Sequence, residues 1–143
     1  MGNVWMAKCF QASAGDGKLA VTGALTLMDG GAVLQLFGGT HEHVGSVIVS
    51  LPRPSMMDKN RTSATSSVIN LLSHKEEPIG RPAAEKLAVA LDRPVVCVAG
   101  IHIDSASNDE IKQLSEHCEE VVRLLLQDAL ASVHRESEEF QAD

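Results

Sequence analysis

Around residues 18–27 apolar and polar positions alternate. Leu19, Val21, Gly23, Leu25 and Leu27 fall on one side of an extended segment; Lys18, Ala20, Thr22, Ala24 and Thr26 fall on the other. A period of two marks a half-buried strand. The turn signals Ala14-Gly15-Asp16-Gly17 and Asp29-Gly30-Gly31 bracket it. Strand-like runs from Trp5 to Ala12 and from Ala32 to Phe37 flank it, so an antiparallel meander is expected. A fourth strand is expected over Ser46 to Leu51, stopped by Pro52 and Pro54 because proline removes a ladder donor. Residues 52–61 read as a polar loop, and Ser66 to Leu72 as a fifth strand.

The period then changes to 3.6. Pro82 suits a first helical turn, Ala83, Leu87, Ala90 and Leu91 form an inner stripe, and Arg93-Pro94 ends the helix. Val95 to Ala99 is a short, wholly apolar run, expected as a central strand buried on both faces. Ser107 and Glu110 have the spacing of a capping box. Ile111, Leu114, Cys118, Val121, Val122, Leu125, Ala129 and Val133 then make the stripe of a long last helix, with Glu119 and Arg123 as an i,i+4 pair. The order β-β-β-β-β-α-β-α predicts an α+β fold: one mostly antiparallel sheet of about six strands packed with two main helices. One domain is expected over residues 1–133, with an acidic, frayed tail over 134–143.

Composition narrows the function classes. With 143 residues and a net charge of −7, the chain is a poor candidate for a nucleic-acid binder, which must neutralise phosphates. Its four aromatic residues, Trp5, Phe10, Phe37 and Phe140, are too few for a stacking platform. No apolar run reaches the length of a membrane span, and the N-terminus lacks a secretory pattern, so a cytoplasmic protein is expected. Cys9, Cys97 and Cys118 are widely spaced in apolar patterns and read as buried thiols.

Charge is placed unevenly. Residues 53–93 carry a net +2 and the rest of the chain −9, which points to an anion site in the middle. Arg61-Thr62-Ser63-Ala64-Thr65 adds hydroxyls beside a guanidinium, a combination suited to phosphate; the ordinary alternative is a solvated loop bonding its own backbone. No Walker loop is present. His41 and His43 share i,i+2 spacing, as do His102 and Asp104, so these four are candidate ligands for a divalent or monovalent cation if the strand ends converge. A nucleophilic enzyme finds little support: there is no Gly-x-Ser-x-Gly elbow, and Cys97 lies in an apolar run.

Several segments, in their order, resemble the prenylated-flavin chaperone family, typified by the D subunit of bacterial gallate decarboxylase. They are residues 38–45 (Gly-Gly-Thr-His-Glu-His-Val-Gly), Pro52-Arg53-Pro54-Ser55, Thr62-Ser63-Ala64-Thr65, Ser73-His74-Lys75-Glu76-Glu77, Ala84-Glu85-Lys86-Leu87-Ala88 and Gly100-Ile101-His102-Ile103-Asp104. The likeness spans roughly residues 30–125, with no matching motif before residue 30. Ser73 stands where that pattern has glycine, and Glu76-Glu77 where it has aspartates. The resemblance implies a fold similar to proteasome-assembly-chaperone domains, commonly dimeric. It implies a non-catalytic accessory protein that takes reduced prenylated FMN from a flavin prenyltransferase and delivers it to a UbiD-type hydroxyarylic acid decarboxylase. Arg61, Thr62, Ser63, Thr65 and Lys75 then become phosphate-end candidates. His43, Gly45, His74, His102 and Asp104 become ring- or ribityl-end candidates. Residues 52–61, with Met56 and Met57, become a candidate lid, since methionine packs adaptably against a ring. Two other classes stay open: a protein-assembly factor without a small ligand, and a metal-dependent enzyme using His41, His43, His102 and Asp104.

Overall fold

The computed structural model describes residues 4, 6–71 and 77–142. The strands are β1 (Lys8–Ala14), β2 (Val21–Met28), β3 (Gly31–Gly39), β4 (Ser46–Pro54), β5 (Thr62–Asn70) and β6 (Val95–His102). Helix α1 (Glu77–Leu91) links β5 to β6, and α2 (Asn108–Ala142) closes the chain. A single 3-10 turn, Gly17–Leu19, joins β1 to β2. This is the α+β order expected from the pattern.

All six strands form one sheet in the order β1-β2-β3-β6-β4-β5. The meander β1-β2-β3 is antiparallel throughout, as is the β4-β5 hairpin. β6 enters between β3 and β4, parallel to the first and antiparallel to the second. The helix between β5 and β6 supplies the crossover that such an insertion needs.

Both helices lie on one face. α1 packs on β4, β5 and β6; α2 packs on β1 and β2; and the two touch each other. Their inner stripes meet the buried strand positions Val21, Leu25, Leu34, Leu36, Ile48, Val95, Cys97 and Ala99. The core is therefore a single two-layer interface.

Two short polar chains stitch the β4-β5 hairpin to α1. The fully buried Ser46 donates to Asn70 Oδ1 at 2.6 Å, and Asn70 Nδ2 donates to Glu77 at 3.0 Å. The fully buried Ser50 lies 2.7 Å from Ser66, whose hydroxyl donates to Glu85 at 2.8 Å. Each buried serine is thereby satisfied, which is the condition for placing a hydroxyl in a core.

Several sequence expectations need correction. β6 is buried on one face only: Val95, Cys97 and Ala99 are enclosed, but Val96 and Val98 are half-buried, because among the described residues no helix covers the second face. β4 continues through Pro52 to Pro54, and β5 begins already at Thr62. A β-hairpin partner on one side only leaves the proline sites outside the β6 ladder, which ends at Ser50. α1 starts at Glu77 and carries Pro82 inside it, and its inner stripe uses Ala84 and Ala88 rather than Ala90. α2 continues through the acidic segment to Ala142, tied at Lys8 of β1 by Glu136. Arg123 pairs with Glu120, one turn back at i,i+3, instead of Glu119. Cys9 is exposed, since it sits on the uncovered face of the edge strand β1.

The capping box forms as expected. Glu110 N–H donates to Ser107 Oγ at 3.1 Å, and Ser107 N–H donates to Glu110 Oε1 at 3.2 Å. Lys18 adds an ion pair to Glu110 at 2.6 Å. The Lys18 ammonium, followed by the Ser107 N–H, holds the Glu110 carboxyl below its usual range. A depressed folded value contributes stability above the ordinary carboxylate range and loses it as pH falls through that value. Glu110→Gln should therefore lower the urea midpoint at neutral pH, and the difference from wild type should close in strong acid.

Burial pushes the Cys97 and Cys118 thiols up to about 12. Only about one in ten thousand of either is thiolate at mildly alkaline pH. A Cys9→Ser variant should show no thiol reactive toward a disulfide reagent until the chain is unfolded, and two afterwards.

Candidate functional site

One-sided helix packing leaves the second face of the sheet uncovered. Its middle is apolar: Val33, Val47, Val96 and Val98 are half-buried, while Val49, Leu51 and Ile69 are 36%, 49% and 69% exposed. The register sets Val33, Val96 and Val49 in one row and Gln35, Val98, Val47 and Ile69 in the next. A solvated antiparallel face normally alternates to polar residues. This one is a flat apolar floor.

One end of the floor is roofed by the connection from β3 to β4. Because β6 lies between those strands, residues 40–45 must cross over its end. Thr40 N–H donates to the His102 carbonyl at 2.8 Å, and Gly45 N–H donates to the Ala99 carbonyl at 2.9 Å. Between these ties the loop backbone lies directly on Gly100: a Cβ there would stand 1.6 Å from the His43 carbonyl oxygen. Gly39, at φ +81°, makes the same approach to the His102 carbonyl, where a Cβ would stand 2.0 Å away. Glycine is obligatory at both positions.

This crossing gathers three imidazoles. His41 and His43 stack with centroids 5.8 Å apart and planes 11° from parallel; His43 meets His102 edge-on at 6.3 Å. His43 Nδ1 lies 2.9 Å from the His41 carbonyl oxygen, and His102 Nε2 lies 2.7 Å from Asp104 Oδ1. The expected convergence of these four residues on one rim is therefore observed. Among the described residues, no group of three or more His, Cys, Asp or Glu side chains is arranged to hold a metal ion. Gly45 contributes backbone: its carbonyl accepts from Leu71 N–H at 2.9 Å and locks the start of β4.

The phosphate-end candidates lie elsewhere. Arg61 and Thr62 sit at the tip of the β4-β5 hairpin, beside a shallow depression of about 190 Å³ lined by Arg53, Lys59, Asn60 and Asp92 among others. Ser63 and Thr65 follow along β5. From Ser46 to Pro54 the strand spans roughly 26 Å. That exceeds the length of a flavin mononucleotide, so within one chain the imidazole rim and the Arg61 end do not meet. His74 and Lys75 lie outside the described residues. Met56 and Met57 are fully exposed on the hairpin tip, away from the imidazoles.

The sequence reading did not single out Arg53 as a candidate. It occupies the uncovered face at the end of the alternation Val47, Val49, Leu51, Arg53, and that alternation was the available signal. Its Nε donates to Thr65 Oγ1 at 2.6 Å and its Nη1 to the Pro54 carbonyl at 3.0 Å. Both partners are neutral, so the guanidinium keeps its charge available to an anion.

A family model described as the prenylated flavin chaperone LpdD-like domain matches residues 15–130. The chain belongs to this family. The match reaches back to Gly15 and so takes in β2, where no motif had been legible. No curated protein matches the chain. Among solved structures, the chain is similar to one in the crystal structure of a novel chaperone complex for yeast 20S proteasome assembly. That likeness has a TM-score of 0.51 at 13% identity, over 92% of this chain and 98% of the other. At that identity the likeness speaks for the fold alone. Among the described residues of this LpdD-like chain, no helix is long and apolar enough to cross a membrane.

Gly100→Ala tests how the rim is built. The added methyl group meets backbone rather than a flexible side chain, so the loop must shift. We expect a loss of roughly 1–3 kcal/mol in urea unfolding, with displaced imidazole resonances for His41, His43 and His102 in NMR spectra. Unchanged stability and spectra would show that the loop does not rest on β6.

Proposed function

We propose that this chain is a non-catalytic chaperone for reduced prenylated FMN, which it receives from a flavin prenyltransferase and hands to a UbiD-type decarboxylase in the cytoplasm. The observation that carries this reading is the family match over residues 15–130, which takes in the apolar sheet floor and its imidazole rim. The residues fit the group chemically. A flat, apolar isoalloxazine ring suits the uncovered valine floor, where it is shielded from water. His43 and His102 offer ring nitrogens to the polar edge of the flavin, and Gly45 helps fix their loop. Arg53, Arg61, Thr62, Ser63 and Thr65 present the guanidinium and hydroxyl groups that a dianionic phosphate requires. A site formed by an open face suits transfer, because the ligand can leave without unfolding a core. The chain acts as a homodimer in this reading.

The test is native mass spectrometry of the chain co-expressed with a flavin prenyltransferase and purified without oxygen. A mass increment equal to reduced prenylated FMN is the expected result. His43→Ala and His102→Ala should each weaken retention on the order of tenfold, the equivalent of one lost hydrogen bond to a polar ring edge. An apo mass, with no uptake of added reduced prenylated FMN, would overturn the proposal and favour a protein-assembly role for the fold.

A further inference from the structure

We propose that the tip of the β4-β5 hairpin is the knob by which this chain docks on the decarboxylase that receives its flavin, with Met56 and Met57 entering an apolar pocket whose rim carries Asp and Glu side chains. This rests on the delivery reading above and adds where chaperone and client meet.

Three observations lead to it. The first is the arm. Pairing of β4 with β6 ends at Ser50, but β4 and β5 stay paired through four further rows, from Leu51 opposite Thr65 to Pro54 opposite Thr62. The two strands therefore run on together for roughly 13 Å past the ladder they share with β6. Pro52 and Pro54 give no N–H to an added strand, so the arm is a poor template along its side and offers its tip instead.

The second is the build of the tip. Two residues suffice to close a hairpin; seven, 55–61, are used here. They are bonded to one another. Ser55 N–H donates to the Arg61 carbonyl at 2.8 Å and closes the neck, and Arg61 N–H donates to the Asp58 carbonyl at 3.0 Å. Asn60 N–H donates to Asp58 Oδ1 at 3.0 Å, and Met57 N–H to Ser55 Oγ at 3.2 Å. This frame holds Met56 and Met57 side by side in water, 89% and 98% exposed. Serine or asparagine would serve the same turn. Two adjacent thioether side chains instead carry a burial energy that only a partner can realise, and they adapt to an irregular pocket. The flavin site leaves them unused, because they stand away from the imidazole rim.

The third observation is charge, and it selects the partner. Residues 53–61 carry Arg53, Lys59 and Arg61 against Asp58 alone, in a chain of net charge −7. Asp58 accepts from the Asn60 N–H, and Asp92 is the other acid beside the tip. An apolar knob ringed by cations complements an apolar pocket ringed by carboxylates and is repelled by a basic one. An anionic bilayer attracts the same tip, but the acids of the remaining chain oppose that approach.

The foot of the arm shows why docking here serves transfer. Leu51 and Arg53 lie on the open face of the sheet, opposite Thr65 and Ser63. A client held at the tip therefore stands at the phosphate end of the flavin site, and the ligand leaves along an open face toward it.

The experiment separates docking from flavin holding. A chain carrying Met56→Ser and Met57→Ser is compared with wild type in three measurements. Native mass spectrometry reads retention of reduced prenylated FMN. Biolayer interferometry reads affinity for a UbiD-type hydroxyarylic acid decarboxylase made without flavin. Decarboxylase activity after mixing reads transfer. The variant should hold flavin as wild type does, bind the decarboxylase on the order of a hundredfold more weakly, and fail to activate it at concentrations where wild type saturates. Lys59→Glu should slow association severalfold at low salt, with the difference closing at high salt. A photo-crosslinking side chain placed at position 57 should attach to an apolar client pocket bordered by Asp or Glu. A methionine variant that docks and activates like wild type would overturn the proposal, and so would attachment to a basic or wholly polar client surface. A wild-type chain that holds no flavin would overturn the flavin reading, and the docking site with it. A wild-type chain that holds flavin, ignores the decarboxylase and binds phosphatidylserine vesicles through the tip would make the tip a membrane contact and overturn the proposal alone.

Discussion

The His43 carbonyl oxygen occupies the space that a side chain at position 100 would need. This backbone-on-backbone contact follows from strand order. β6 lies between β3 and β4, so the short segment joining those two strands has nowhere to go but across the end of β6. Hydrogen bonds from Thr40 and Gly45 to β6 hold it there. It brings His41 and His43 against His102 of β6, and the rim is therefore a product of the crossover rather than of any local turn.

The same topology explains the uncovered face. α1 and α2 settle side by side on one layer of buried strand positions. The polar chains through Ser46 and Ser50 anchor α1 to the hairpin on that side. Nothing in the described fold covers the other side, although Val47, Val96 and Val98 are as apolar as residues of a core. A large apolar patch on a protein surface marks a place where something binds. Here it joins an imidazole rim at one end to a basic hairpin at the other, and both are at the limits of β4.

Local features were legible wherever the physics was local. The alternation around Val21 to Leu27, the glycine turns, and the Ser107–Glu110 box each depend on neighbours within a few residues. Most of the readings that failed needed distant partners. Val95 to Ala99 reads the same whether a helix covers one face or two. Cys9 sits in an apolar pattern but on an edge strand's open side. Arg123 has acidic residues at both i−3 and i−4, and sequence alone does not choose Glu120 over Glu119. Arg53 looked like part of a proline-rich loop until pairing with β5 extended its strand.

By itself, then, the sequence determined the number, kind and order of the elements. Those follow from the period of the apolar positions and from glycine and proline chemistry. It also named the histidine, arginine and hydroxyl residues of the proposed flavin site. Only the tertiary structure decided which of these stand together. Sheet order brings His41, His43 and His102 to one rim although about sixty residues separate the first from the last. It sends Arg61 and Thr62 to the opposite end although they are far nearer to His43 in the chain. Proximity in this fold is set by which strand β6 lies beside, and no span of sequence shorter than the whole sheet contains that information.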